Sequence, residues 1–238
     1  RQLEPHCDRI MVGFEDCRAH YRHPEKVVVT GTPVRGDFFA LSKQQAKEKL
    51  GVNDGRKLIV SFWGSLGSNA MNRAMADFLA LESAKEPFHH IHGVGEICWS
   101  SMQQWLSDDS VDLSAHPALQ VREYIYDMAA VMRAADLVIC RAGASTLSEL
   151  TALGVPAILV PSPNVTNHHQ EKNAALLGDH GAALVLAEEG LDGKKLFAAA
   201  AGLLRDDARM ARMADSMAQL GIRDATERIY RTVMALVK

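Results

Sequence analysis

The sequence predicts an α/β fold in which helices cover both faces of a parallel sheet. Short apolar, β-branched runs alternate along the chain with longer stretches whose apolar residues recur at helical spacing. The apolar runs are nearly continuous, which is typical of strands that are buried on both faces of a parallel sheet. With 238 residues, of which 47% are hydrophobic, the chain is long enough to bury such a sheet.

The predicted elements follow one another in a regular order. The amino-terminal segment is interpreted as part of a helix, a short strand (RIMVGF) and a helical turn. Six strand and helix pairs follow: KVVVTGTPV with DFFALSKQQAKEKL, KLIVSFWG with SNAMNRAMADFLALESA, FHHIHGV with ICWSSMQQWL, LQVREYI with MAAVMRAA, DLVICRAG with STLSELTALG, and PAILVPSP with HHQEKNAALLGDHG. A strand AALVLA, two helices at roughly 192–206 and 207–220, and a last helical segment ATERIYRTVMALVK complete the chain.

Composition narrows the classes of function. The formal net charge is −3 and charges of both signs are interleaved, so we expect no nucleic-acid partner. The longest apolar runs, such as LVIC and AILV, are far shorter than the ~20 residues that span a bilayer, so membrane contact is expected to be peripheral. Cys7, Cys17, Cys98 and Cys140 include no C-x-x-C pair, which indicates unbridged thiols in a reducing cytoplasm.

The loops that leave the strands carry the candidate site, because ligands of parallel α/β sheets bind beyond the carboxyl ends of the strands. In FWGSLGSN, Gly64, Ser65 and Gly67 lie between a strand and a helix, where free backbone N–H groups favour a phosphate. The loop matches neither a Walker motif nor G-x-S-x-G, and a turn that needs glycine only for its backbone is the alternative. The later GVG stretch lacks the third glycine of a dinucleotide fingerprint and is interpreted as a plain turn.

The stretch CRAGASTLSEL supports two interpretations of its glutamate. Thr146 and Glu149 fit the S/T-x-x-E capping box, in which Glu149 bonds the backbone at the helix start. Alternatively, the small residues Ala144, Ser145 and Thr146 let a ligand approach the backbone, and Glu149 accepts the two hydroxyls of a vicinal diol such as ribose.

The stretch PSPNVTNHHQEKNA offers amide and imidazole groups after a strand. His169, Gln170 and Asn173 suit sugar hydroxyls, because amide side chains both donate and accept hydrogen bonds. A metal site is the rival interpretation, but the adjacent histidines have no third ligand at a defined spacing.

Two further groups of polar residues are less specific. Arg35, after the strand KVVVTGTPV, is positioned either to reach a phosphate or to remain solvated. His89, His90 and His92 fall on a strand pattern and are interpreted as ordinary sheet residues.

The order of the motifs is more specific than any one of them. GTPVR, FWGSLGSNAMN, YIYDMA, CRAGASTLSE, GVPAILVPSPNVTNHHQEKNA and DATERI resemble the successive motifs of the bacterial undecaprenyl-diphospho-muramoylpentapeptide β-N-acetylglucosaminyltransferases, the MurG family. The resemblance runs almost end to end and is strongest in NVTNHHQEKNA. It implies the GT-B architecture, in which two Rossmann-like domains face one another across a cleft.

The resemblance also implies how the chain is divided. Residues 1–24 would be a trailing piece of the N-terminal acceptor domain, residues 25–225 the C-terminal domain that binds the donor, and residues 226–238 a helix that returns to the acceptor domain. Ile229, Val233 and Leu236 recur at helical spacing and would lack their native partner, so we expect self-association or local disorder near this helix.

The implied activity is an inverting transfer of N-acetylglucosamine from UDP-N-acetylglucosamine (UDP-GlcNAc) to a lipid-linked muramoyl-pentapeptide, in the synthesis of peptidoglycan at the cytoplasmic face of the bacterial inner membrane. No cofactor or metal is expected. The catalytic groups are expected in the N-terminal domain, so no catalytic residue is assigned. The alternatives are a nucleotide-sugar binding module without turnover and another GT-B lipid glycosyltransferase, for example one acting on diacylglycerol, against which SPNVTNHHQEKNA argues.

The resemblance implies roles for eleven residues. The diphosphate would lie at Ser65 with Arg35 beside it, and the uracil would meet the backbone of Ile125 with Met128 in the wall. Ala144, Ser145 and Thr146 would form the turn around the nucleotide, and Glu149 would bind the ribose. Gln170, with His169 or Asn173, would bind the sugar. This assignment favours the ribose interpretation of Glu149 over the capping box. Two departures from the family pattern are Trp63-Gly64, where a glycine pair is common, and His169-Gln170, where some members have two glutamines.

Overall fold

The structure is a computed structural model that describes residues 2–85 and 87–237, without the side chain of Asn167. The strands are β1 (Ile10–Val12), β2 (Val27–Val29), β3 (Leu58–Phe62), β4 (His89–Gly93), β5 (Leu119–Arg122), β6 (Leu137–Cys140), β7 (Ala157–Leu159) and β8 (Ala183–Val185). The helices are α1 (Lys43–Leu50), α2 (Asn69–Ser83), α3 (Trp99–Asp108), α4 (Met128–Ala134), α5 (Ala144–Leu153), α6 (His169–Asp179), α7 (Gly193–Leu204), α8 (Asp207–Gln219) and α9 (Ala225–Met234).

Strands β3 to β8 form one parallel sheet of six strands, which confirms the predicted α/β class. Their order is β5-β4-β3-β6-β7-β8. The chain therefore builds outward from β3 to β5, and then crosses back to place β6 on the other side of β3. Val60 of β3 pairs with Ile91 of β4 on one side and with Val138 of β6 on the other. The order reverses between β3 and β6, and ligands of such sheets bind at this kind of switch point.

Both faces of this sheet are buried, as the continuous apolar strands predict. Leu58, Val60 and Phe62 of β3 pack in a core cluster with residues of α1, α4, α5 and α6. Ile59, between them, packs in a second cluster with residues of α2, α3, α7 and α8. Since successive side chains of a strand point to opposite faces, a strand buried on both faces needs an apolar residue at nearly every position.

The amino-terminal segment forms a separate small sheet. Strands β1 and β2 pair in parallel, with Ile10 opposite Val27. The predicted strand KVVVTGTPV therefore pairs with the predicted strand RIMVGF and not with the six-stranded sheet. The helical turns around them are 3₁₀ helices, Glu4–His6, Glu15–His20 and Pro24–Lys26. The β1–β2 pairing joins residues on both sides of the predicted division at residue 24, and that division stays a prediction.

The last predicted helix is present as α9, and much of its apolar surface faces solvent. Tyr230, Val233 and Met234 are 59%, 42% and 48% exposed, and Leu236, just beyond the helix, is 45% exposed. Ile229 is half-buried, while Ala225 at the start of the helix is buried. The return of this helix to another domain and its self-association stay predictions. No helix in residues 2–85 and 87–237 is long and apolar enough to cross a membrane.

An ion pair network ties α1 to the amino end of the sheet. Asp136, just before β6, accepts from Lys43 at 2.7 Å and Lys47 at 2.6 Å, and its Oδ2 accepts from the backbone N–H of Leu58 at 2.8 Å. Burial raises the pKa of Asp136, but the two ammonium groups and the Leu58 N–H outweigh it and hold this pKa below its ordinary value.

We expect Asp136→Asn to destabilise the protein at pH 7 by about 2 kcal/mol, because a charged hydrogen-bonded group is lost. Since the pKa of Asp136 is lower in the folded than in the unfolded state, its contribution is complete above the unfolded value, near 4, and is lost as pH falls through the folded value. Urea unfolding at pH 7 and at pH 3 checks this, and the difference between variant and wild type should shrink at pH 3. Asp207→Asn, in an exposed pair with Lys57, is the control and should change little.

Candidate functional site

A cavity of about 380 Å³ opens at the carboxyl ends of β3 and β4, beside the point between β3 and β6 where the strand order reverses. We call it the switch-point cavity. Its walls come from the loops after β3, β4 and β5, from the start of α4 and from the first two turns of α5. The lining residues are Phe62, Gly64, Ser65, Gly93, Gly95, Glu123, Tyr124, Ile125, Met128, Ser145, Thr146 and Glu149. Six of the eleven predicted site residues are among them: Ser65, Ile125, Met128, Ser145, Thr146 and Glu149.

The loops after β3 and β4 touch through two glycines. Gly67 has φ of 81° and Gly95 has φ of 91°, a left-handed conformation that favours glycine. A Cβ added at Gly67 would lie 2.3 Å from the carbonyl oxygen of Val94, and one added at Gly95 would lie 2.3 Å from the nitrogen of Gly67. The GVG stretch is therefore more than the plain turn that the sequence suggested, because Gly93 and Gly95 also line the cavity.

Helix α5 begins at Ala144, with Gly143 as its N-cap, and this register tests the capping-box interpretation of Glu149. The N–H of Leu147 donates to the carbonyl of Gly143 at 3.0 Å, and no side chain caps the helix. Thr146 therefore lies inside the first turn and Glu149 lies in the second. The capping-box interpretation is wrong, because the helix begins three residues earlier than a Thr146 cap requires.

Glu149 lies half-buried in the wall of the cavity without a hydrogen-bond donor among the described residues. Burial raises its pKa, Arg35 lowers it, and Asp37 raises it further. The guanidinium of Arg35 itself lies 3.4 Å from Asp37 and over the ring of Phe38. Arg35 does not line the cavity, but its positive charge reaches Glu149. A carboxylate in this setting can accept two hydroxyl groups from a ligand without first breaking another bond.

The loop after β5 supplies the apolar end of the cavity. Ile125 is 3% exposed, and its side chain packs against Gly93, where an added Cβ would lie 3.0 Å from Ile125 Cδ1. Met128 begins α4 beside it. Tyr124 also lines the cavity, and its ring centroid lies 4.9 Å from that of Tyr126, which is 89% exposed, with the two rings tilted by 57°. The sequence reasoning did not select Tyr124, although its place at the exit of a strand was a usable signal.

The predicted sugar-binding residues do not line the switch-point cavity. Gln170 Oε1 accepts from the backbone N–H of Ser162 at 3.0 Å, and Asn173 Nδ2 donates to the carbonyl of Ala142 at 3.1 Å. His169 Nδ1 lies 2.9 Å from the carbonyl of Thr166. His169 and Asn173 line a different cavity, of about 400 Å³, against the amino-terminal segment. Their sugar-binding role stays a prediction, as does that of Ala144, which is exposed at the start of α5.

Arg141 was missed by the sequence reasoning, and it joins three parts of the site. Its guanidinium donates to the hydroxyl of Ser68 at 3.1 Å, to the carbonyl of Val160 at 3.1 Å, and to Glu188 at 2.7 Å. These contacts connect the start of α2, the exit of β7 and the loop after β8. The signal in the sequence was a basic residue directly after the buried strand LVIC.

The histidine-rich stretches hold no evident metal site. His89, His90 and His92 lie on β4, as predicted for sheet residues. Across residues 2–85 and 87–237, no group of three histidine, cysteine, aspartate or glutamate side chains is arranged to hold a metal ion. All four cysteines are free thiols.

The chain matches one known protein family and is similar to curated proteins over nearly its whole length. Residues 58–229 match the family described as the glycosyltransferase family 28 C-terminal domain. Two curated relatives are named UDP-N-acetylglucosamine--N-acetylmuramyl-(pentapeptide) pyrophosphoryl-undecaprenol N-acetylglucosamine transferase. The chain is 37% identical to the one from Acetivibrio thermocellus over 236 residues, which are 99% of the chain and 63% of the relative. The relative from Caldanaerobacter subterraneus is also 37% identical, over 99% of the chain and 64% of its own length.

Solved structures share the fold at lower identity. The crystal structure of Acinetobacter baumannii MurG matches 98% of the chain and 62% of its own chain with a TM-score of 0.73 and 24% identity. A complex of S. aureus MnaA with UDP matches 100% of the chain and 63% of its own chain with a TM-score of 0.71 and 16% identity. At these identities the likeness shows the fold alone. The chain spans a little under two thirds of the length of each of these proteins.

We expect Gly95→Ala to destabilise the protein by about 2–4 kcal/mol, because the new Cβ combines left-handed strain with overlap on Gly67. Gly202→Ala is the matched control. Gly202 is exposed in α7 with open space around it, so alanine there should stabilise by about 0.5–1 kcal/mol. Chemical denaturation of both variants measures the two effects, and equal stability of Gly95→Ala and wild type would contradict the loop contact.

We also expect Glu149→Gln to raise the thermal unfolding midpoint at pH 7. The folded-state pKa of Glu149 lies above its unfolded value, so its ionisation costs stability as pH rises through the folded value. Below the unfolded value both states are protonated and the cost disappears. The advantage of the variant should therefore vanish near pH 4, and a variant that is less stable at pH 7 would contradict this reading of the site.

Proposed function

Because the chain belongs to the family of glycosyltransferase family 28 C-terminal domains, we propose that it is the donor-binding part of an enzyme that transfers N-acetylglucosamine from UDP-GlcNAc to a lipid-linked muramoyl-pentapeptide. The observation that carries the proposal is the switch-point cavity. In it Glu149, a carboxylate with no hydrogen-bond donor among the described residues, lies one turn into a helix whose amino end faces the same space. The names of the curated relatives support this choice of donor and acceptor.

The donor is proposed to lie across the mouths of β3, β4 and β6. Its diphosphate takes the glycine-containing turn at Ser65 and the amino end of α5, where the first N–H groups of the helix have no partner within it. Its ribose diol donates to the two oxygens of Glu149. Its uracil packs against Ile125 and Met128, which form the apolar end of the cavity.

The sugar is proposed to extend towards α6. Gln170 retains its amide N–H groups and Asn173 retains its side-chain oxygen after the hydrogen bonds that they make within the chain. These free atoms, together with His169, are the proposed contacts to the sugar hydroxyls. Asn173 donates to the carbonyl of Ala142, in the loop between β6 and α5. This loop therefore joins the proposed sugar contacts on α6 to the amino end of α5, where the diphosphate is proposed to lie.

The chemical step follows from this placement. The acceptor's 4-hydroxyl attacks the anomeric carbon, the bond from that carbon to the diphosphate oxygen breaks, and UDP leaves with the electron pair. The positive ends of α2 and α5 and the cation Arg35 would offset the charge that builds on the diphosphate. The base that takes the hydroxyl proton is assigned to the N-terminal domain, and no residue of this chain is proposed for it.

The acceptor and the place of action belong to the same proposal. The lipid-linked muramoyl-pentapeptide would enter from the side of the N-terminal domain, and the enzyme would work as a peripheral protein on the cytoplasmic face of the inner membrane. The resemblance of the motif order to the MurG family supports both statements.

A nucleotide-sugar binding module without turnover is the second candidate. It is favoured by one feature of the site: each residue assigned above binds or orients the donor, and none is placed to accept the proton of an acceptor hydroxyl.

Calorimetric titration of the chain with UDP-GlcNAc, UDP-GalNAc and UDP tests the proposal. UDP-GlcNAc should bind best, and Glu149→Ala should weaken binding of all three ligands by roughly tenfold to a hundredfold, as expected for the loss of hydrogen bonds to a charged group. The affinity of the wild type should also fall as the pH is lowered through the raised pKa of Glu149, because only the ionised carboxylate accepts from both hydroxyls.

Glu227→Ala, on the exposed surface of α9, is the control and should bind like the wild type. Circular dichroism of each variant confirms that it is folded. A folded wild-type chain that binds none of the three ligands would contradict the proposal, and so would a Glu149→Ala variant with unchanged affinity.

A further inference from the structure

A continuous line of buried polar side chains runs through the core beside the switch-point cavity. It joins Glu82, His90, Ser61, His92 and Asn72 in that order and ends on the backbone carbonyl of Val94. We call these five side chains the polar chain. Each of the five residues is 0% exposed. Because buried polar groups destabilise a core unless they are hydrogen-bonded, five of them in one line indicate a specific structural role.

Each link of the polar chain is within hydrogen-bond distance. Glu82 Oε2 lies 2.6 Å from His90 Nδ1, and His90 Nε2 lies 2.8 Å from Ser61 Oγ. Ser61 Oγ lies 2.7 Å from His92 Nδ1, and His92 Nε2 lies 3.0 Å from Asn72 Oδ1. The last link runs from Asn72 Nδ2 to the carbonyl oxygen of Val94, at 2.9 Å.

The end of the line determines the direction of every bond in it. A backbone carbonyl only accepts, so Asn72 presents its NH₂ group to Val94 and its oxygen to His92. His92 Nε2 must therefore donate, and in a neutral ring Nδ1 then accepts from the hydroxyl of Ser61. The Ser61 oxygen in turn accepts from His90 Nε2, and one proton lies between His90 Nδ1 and Glu82.

Two observations fit this assignment. Burial, with a smaller effect of His90, lowers the pKa of His92 to about 3, so the ring is neutral at ordinary pH. The opposite tautomer would carry its proton on Nδ1, where the backbone carbonyl of Ser61, at 3.2 Å, could accept it. That tautomer would set two acceptors, His92 Nε2 and Asn72 Oδ1, against one another at 3.0 Å.

We propose that the polar chain positions the carbonyl of Val94, and through it the two loops that form one wall of the switch-point cavity. A Cβ added at Gly67 would lie 2.3 Å from this carbonyl oxygen and 3.3 Å from Asn72 Nδ2, so the loop after β3 packs directly on the end of the polar chain. Gly95, the next residue after Val94, lines the cavity and contacts Gly67.

The inference rests on the proposed function, because the wall that the polar chain holds is the one assigned to the donor diphosphate. None of the five side chains lines the cavity, so they act as positioning residues. A shift of this carbonyl would move Gly67 and Gly95 together, and with them the turn that carries Ser65.

Ser61→Ala tests the proposal at the middle of the line. Loss of the hydroxyl leaves His90 Nε2 without its acceptor and lets His92 turn its proton to the carbonyl of residue 61, so Asn72 loses its donor. We expect UDP to bind about fivefold more weakly or worse. The amides of Val94 and Gly95, which donate to the carbonyls of Arg122 and Glu123, should exchange with solvent faster by a similar factor. Thr151→Val is the matched control, because Thr151 is 2% exposed and the variant removes a buried hydroxyl that donates to the carbonyl of Ser148.

Nitrogen-15 spectra of the histidine rings give a test that needs no variant. The wild type should show His92 as the neutral tautomer with the proton on Nε2, and a proton on Nδ1 would overturn the assignment. A folded Ser61→Ala chain with wild-type UDP affinity and unchanged exchange of the Val94 and Gly95 amides would overturn the positioning role. If the wild type itself binds no UDP, the proposed function fails, and amide exchange in the ligand-free proteins decides the positioning role separately.

Discussion

The burial of β3 on both faces, between β4 and β6, is the constraint on which the rest of the structure depends. Its backbone groups are satisfied by parallel neighbours on both sides, and its side chains belong to both core clusters. A strand in this position has no exposed edge and no exposed face, so only its ends meet solvent. Its carboxyl end is also the place where the strand order reverses, and the loop that leaves it lines the switch-point cavity.

Two features of the cavity wall are unfavourable for the stability of the fold but give the cavity its shape. Gly67 and Gly95 hold left-handed backbone conformations so that two loops can touch, and Glu149 keeps a carboxylate in a half-buried place without a hydrogen-bond partner among the described residues. Such features are unfavourable in an ordinary core and are common where a ligand supplies the missing contacts. The two clusters of buried apolar residues that flank β3 can offset these costs.

Polar side chains connect the parts of the site that apolar packing leaves independent. Arg141 links the start of α2 to the loops after β7 and β8, and Asn173 links α6 to the loop after β6. The buried line from Glu82 to Asn72 reaches the loop after β4. Because hydrogen bonds are directional and apolar contacts are not, these links specify how one loop lies relative to the next.

The sequence by itself determined the α/β class, the order of the elements and the small-residue loops at Ser65 and at Ser145 and Thr146, because these follow from local periodicity and from small residues at strand exits. Ile125 and Met128 were indicated by the resemblance to the MurG family. Tertiary structure decided the rest. The pairing of β2 with β1 rather than with the large sheet depends on contacts between distant segments, and the start of α5 at Ala144 depends on how the helix packs. The roles of Arg141, of Gly95 and of the buried histidines depend on which loops meet in space, and spacing along one chain carries no information about that meeting.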